Sequence, residues 1–179
     1  MHGKIGSCFL IAALTGLGAA PTLAAEQRIG EKPIVENGMI LSAVYLQPVH
    51  MAPMVAGMGE PSDVHIEADI HADKDNAQGF PPGAWIPYLT IAYQLTKQGS
   101  GWSAFGYLMP MTANDGPHYG ANVKLDGPGK YRLSYRLLPP PYAGFFRHTD
   151  KETGVAEWWQ PFSVGWDFVY VGVGKKGGY

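Results

Sequence analysis

Cysteine is the first shortage. The 179-residue chain has one, Cys8, in an N-terminal stretch that is expected to be removed. Without it the chain can form no disulfide, thiolate zinc site, iron–sulfur cluster or blue-copper thiolate. Any metal must then be held by histidine, methionine and carboxylate. Charge is also scarce: Asp, Glu, Lys and Arg make up 16% of the residues, and the net charge is −2. That excludes the basic footprint of a nucleic-acid or anionic-membrane binder. No convincing amphipathic helix can be read along the chain. No G-x-S-x-G, H-E-x-x-H or Walker A motif is present. A copper oxygenase's amino-terminal histidine brace needs histidine as the first mature residue, where cleavage would leave Ala25 or Glu26.

What is abundant points to strands and turns. Apolar residues reach 46% and aromatics 12%, with 24 Gly and 15 Pro, a balance that favours a β-rich fold over a helical bundle. The N-terminus has the order of a secretory signal: Lys4, the apolar run "IGSCFLIAALTGLGAA", then small residues in "PTLAAE". The run is too short and glycine-rich to span a bilayer comfortably. Cys8 stands at the start of that run, before its most apolar part, whereas a lipidation cysteine follows one. The expectation is a signal peptide over residues 1–24 and one exported domain over 25–179, periplasmic and not inserted in the membrane. Loss of Lys4 takes the net charge to about −3.

Strands are expected at "MILSAVYLQPV", "DVHIEADIHA", "IPYLTIAYQLT" and "WSAFGYLMPM". Two more flank the turn in "ANVKLDGPGKYRLSYRLLPPP", and a last one is "FSVGWDFVYVGV". "EQRIGEKPIVENG" reads as a polar lead-in, "HMAPMVAGMGEPS" and "TANDGPHYG" as loops. "YAGFFRHTDKETGVAEWWQP" reads as a long connection with room for a helical turn. This pattern, with a turn every dozen residues or so, predicts an all-β sandwich.

Within "DVHIEADIH", His65, Glu67, Asp69 and His71 alternate with Val64, Ile66, Ala68 and Ile70. A strand therefore carries imidazoles and carboxylates on one face and a core on the other. Solvent satisfies such a face as readily as a metal does, but the spacing His65-x-Glu67 lets both side chains reach one ion. Met109 and Met111 flank a proline, and His118 follows in "TANDGPHYG". Thioether with imidazole suits copper, and a nearby carboxylate extends the set to harder ions such as Fe2+. His148, in "FFRHTD", is a surface histidine or a third imidazole. The loop bearing His50, Met51, Met54 and Met58 is either a weaker second site for Cu+ or a rim of packing.

In this order and spacing, "AVYLQPVHMAPM", "DVHIEADIHA", "WIPYLTIAY", "MPMTANDGPHYGANV", "PPPYAGFFRHTD" and "WWQPFSVGWDFVYVG" resemble the periplasmic high-affinity Fe2+ transport proteins that accompany an Ftr-type iron permease. The resemblance implies an immunoglobulin-like β-sandwich and a homodimer with a metal site near its interface. It implies copper as bound metal and iron as transported metal, with ligands at His65, Glu67, Met111, His118 and His148. Glu67 would shift between metal positions. The implied role is delivery of iron to an inner-membrane permease, not catalysis. Copper buffering or tolerance, a ferroxidase or ferric reductase activity, and a purely structural sandwich are the alternatives. His50 stands where other members carry an acid, so no role passes to its loop.

Overall fold

A computed structural model describes residues 26–54 and 60–173. The expected signal peptide, including Lys4 and Cys8, lies outside the described residues, as does Met58. Eight strands follow in chain order: β1 (Gln27–Glu36), β2 (Met39–Leu46), β3 (Val64–Ala72), β4 (Thr90–Lys97), β5 (Ser103–Ala113), β6 (Gly116–Val123), β7 (Gly129–Leu138) and β8 (Phe162–Tyr170). A short 3-10 turn, Pro140–Ala143, precedes the last strand. The lead-in is therefore itself a strand. Only Ile29 of β1 is fully buried, which is why its polar sequence carries so little strand signal.

The expected immunoglobulin-like sandwich is not what forms. All pairings are antiparallel, and one sheet runs β1-β2-β3-β6-β5-β4-β7-β8. It curls into a nearly closed barrel with β1 lying against β8. Strand β5 turns the corner: Ser103–Leu108 pair with β4 and Met109–Ala113 with β6. One long strand thus carries the hydrogen bonding round a corner that a sandwich would leave open. At the seam, β1 shifts register between Ile29 and Ile34. Gly30 there adopts φ +82, and any side chain at that position would overlap the Trp166 indole of β8. Alternation alone cannot separate the two folds, because both bury every second residue.

The barrel interior holds Ile66, Ala68 and Ile70 of β3, Leu41 and Tyr45 of β2, and Tyr131, Leu133, Tyr135 and Leu137 of β7. The Tyr135 hydroxyl crosses it to donate to the Glu67 carbonyl at 3.0 Å. Tyr119, between His118 and Gly120, is wholly buried; its hydroxyl donates to the Ile86 carbonyl (2.8 Å) and accepts the Leu89 N–H (3.0 Å). Tyr119→Phe removes one oxygen but orphans two buried backbone groups. The expected cost is about 1–3 kcal/mol, read as a lower denaturant midpoint at unchanged m-value. A midpoint equal to wild type would show that water replaces the hydroxyl.

Candidate metal centre

The alternation read in β3 is present, but its polar face is not wet throughout. His65 is fully buried and Glu67 is 6% exposed, while Asp69 and His71 are half-buried. The neighbouring strands explain this. His65 lies between Leu46 of β2 and Asn122 of β6, and Glu67 between Val44 and Gly120. Apolar side chains thus screen one flank of the polar residues, and a glycine leaves room on the other.

His118 lies on β6 rather than in a loop, because the "TAND" turn is tighter than expected: β5 ends at Ala113 and β6 begins at Gly116. It pairs directly with Met111 of β5 and is 6% exposed. The Nε2 atoms of His65 and His118 each approach Glu67 Oε1 at 3.5 Å. Donors of these three residues all lie within 4.8 Å of one another. Two donors bound tetrahedrally to one ion at about 2.0–2.1 Å stand about 3.3 Å apart, so the observed spacing suits a shared metal. Met111 lines the same cavity, adding a thioether.

Two residues that the sequence reading gave no role complete the arrangement. The Asn122 amide is oriented by Val49: its Nδ2 donates to the Val49 carbonyl (2.8 Å), and its Oδ1 accepts the Val49 N–H (3.2 Å). The same Oδ1 lies 2.9 Å from His65 Nδ1. A carbonyl-type oxygen can only accept, so Nδ1 carries the proton and Nε2 presents a bare lone pair. That Nε2 is buried with no hydrogen-bond partner. A buried, unpaired acceptor beside a carboxylate and a second imidazole is what a cation would satisfy. Gly120 provides the space: a Cβ there would overlap His65 Nε2 and come within 2.8 Å of its Cε1. A glycine inside a strand pattern is the signal that could have found it.

Electrostatics agree with an imidazole ready to ligate. Burial lowers the His65 ring to about 4, the Asn122 hydrogen bond opposing and His118 adding to the fall. Burial, then the charges of Asp69, Glu26 and Asp115, push the Glu67 carboxyl up to about 8. Near neutrality neither residue is charged, so their 3.5 Å approach is not an ion pair. A bound cation would draw off the Glu67 proton, since a carboxylate ligates in its ionised form. A second cavity shares Glu26, Glu67, Asp115 and His118 with the first and is further lined by Asp69 and His71. Glu67 therefore borders both spaces, and the second adds the Asp69 carboxylate and the His71 imidazole to the donors that the two share.

A family model described as Fe2+ transport protein matches residues 23–172. The chain belongs to that family. A UPF0423 protein of Brucella abortus is 54% identical to it over 154 residues, 83% of this chain and 84% of the relative. Among solved structures, FetP of uropathogenic Escherichia coli strain F11 is 53% identical with a TM-score of 0.78, covering 83% of this chain and 98% of FetP. Copper-reconstituted P19 of Campylobacter jejuni is 47% identical, also with a TM-score of 0.78, covering 84% and 99%. A transport family fits a pocket that offers metal donors.

Not every residue implied by the family resemblance gathers here. His148 lies on the connection after the 3-10 turn, with its side chain 74% exposed and Nδ1 2.8 Å from Thr153 Oγ1. It does not line the cavity. Its neighbour Phe145 stacks on Tyr88 and Phe80 of its own chain, whereas Tyr142 and Phe146 remain exposed. His50 and Met51 do line the cavity, at its outer side, and Met54 is exposed.

Proposed function

We propose that this protein is a periplasmic metal carrier of a high-affinity iron uptake system. It binds copper through His65, Met111 and His118, with Glu67 as an adjustable fourth donor, and delivers iron to an inner-membrane permease. The carrying observation is the bare, buried Nε2 of His65, held 3.5 Å from Glu67 and in one cavity with His118 and Met111. Two imidazoles and a thioether favour copper, which also heads the affinity order among divalent first-row metals. The solved relative described as copper-reconstituted supports that choice. Iron rests on the family description and on the adjoining cavity, where the carboxylates of Glu26, Glu67, Asp69 and Asp115 gather, because carboxylates suit the harder ion. Growth of a deletion strain under iron chelation, compared with growth under copper stress, tests delivery. A defect under copper stress alone would favour copper buffering.

Glu67→Gln keeps the shape of the side chain and removes its ionisable group. Copper binding should persist, while Fe2+ or Mn2+ binding weakens, both read by competition titration. Equal loss of both metals would make Glu67 an ordinary ligand.

The protein acts as a homodimer in this reading, with His148 supplied from a second copy. Support comes from its exposure away from its own chain's cavity, and from the apolar side chains Tyr107 and Met109 exposed on β5 beside Met111. Mixing His118→Ala chains with His148→Ala chains should restore one intact site per heterodimer. A monomer with full copper affinity would assign the site to one chain. Phe145 is unsuitable for an interface test because it packs within its own chain.

A further inference from the structure

His50 and Met51 are donors that the inner centre does not use. Both line the cavity that contains His65, Glu67, Met111 and His118, together with Val49 and Ala52 of their own loop. His50 is exposed and Met51 half-buried, whereas His65 and His118 are buried. An ion entering from solvent therefore meets an imidazole and a thioether before it meets the inner set.

The loop is held in register with the inner centre. Val49, immediately before His50, gives both its N–H and its carbonyl to the Asn122 amide (3.2 and 2.8 Å), and that amide also fixes the His65 ring at 2.9 Å. One side chain thus positions the inner ligand and the start of the outer donor pair. The half-buried Asn122 amide commits three hydrogen bonds to this arrangement, two to the loop and one to the inner ligand. As a coupling between two donor sets it has a physical purpose.

We infer that His50 and Met51 form an outer station for Cu+ at the cavity mouth, from which the ion passes inward by ligand exchange. The inference rests on the copper reading of the inner centre. The pair joins a thioether to an imidazole and contains no carboxylate oxygen, so it favours a soft monovalent ion over Fe2+ or Mn2+. Met111 lines the same cavity and is the thioether that would take over from Met51 during transfer. No bond of the protein is broken and no electron moves in the exchange; one donor replaces another on the same ion.

The test is anaerobic titration of the full mature protein with Cu+ against a chromophoric chelator, repeated with Ag+, alongside stopped-flow loading. Wild type should take a tight and a weaker equivalent. His50→Ala combined with Met51→Leu should lose the weaker one, keep the tight one, and load it more slowly. His118→Ala should do the reverse, losing the tight equivalent and keeping the weaker. Circular dichroism identical to wild type confirms that both variants are folded. A double variant with wild-type stoichiometry and loading rate overturns the outer station. Failure of the inner reading looks different: His118→Ala would then retain the tight equivalent while the double variant still lost the weaker one.

Discussion

Gly120→Ala is expected to abolish tight copper binding by adding a single methyl group. That methyl would occupy the place of His65 Nε2, the atom with the bare lone pair, and Ile66 O lies 3.3 Å from it. His65 is fully buried and its Nδ1 is held by Asn122, so moving the ring away from the methyl breaks that hydrogen bond. Overpacking of this kind costs about 1–3 kcal/mol. Displacing a ligand should cost at least the 10–100-fold or so in affinity typical of a lost supporting contact. The double variant Gly120→Ala, His65→Ala separates the causes. Removing the imbedded ring should return most of the lost stability, a strongly non-additive pair, while copper stays unbound. Gly120→Ala protein that binds copper as tightly as wild type would show that Nε2 does not face the ion.

His118→Ala should leave the barrel folded and remove most of the copper affinity, by about 100-fold or more, since a direct ligand matters at least as much as the groups that orient it. His118 contributes an imidazole 3.5 Å from Glu67 and sits opposite Met111 across the β5–β6 pair. The core residue of that segment is its neighbour Tyr119, so truncating His118 leaves the Tyr119 hydrogen bonds intact. Isothermal titration with Cu2+, alongside far-ultraviolet circular dichroism, reads both expectations. Unaltered binding with unaltered structure would remove His118 from the centre.

Much of this centre was legible before any coordinates. Alternation along "DVHIEADIH" put His65 and Glu67 on one face, because a strand repeats every two residues whatever surrounds it. The lack of any cysteine beyond Cys8 restricted the donors to imidazole, thioether and carboxylate. Met111 and His118 stood out as a pair, though His118 was expected in a loop and lies in β6. Gly120 and Asn122 were passed over. Neither carries ligand chemistry, and their importance comes from what lies across the strand pair, not from their neighbours in sequence.

Sequence by itself determined the class of fold, the polar and apolar faces of β3 and the donor types available, since these follow from local periodicity and residue chemistry. Tertiary structure decided the rest. It closed one sheet into a barrel instead of a sandwich, through the two-sided pairing of β5. It made a strand of the polar lead-in by laying β1 along β2. It set the proton on His65 Nδ1 through an amide 57 residues away, and it kept His148 out of the cavity of its own chain. Each of these depends on which residues meet across long loops. Pairing partners, tautomers and burial are properties of that meeting, and no window along the chain contains them.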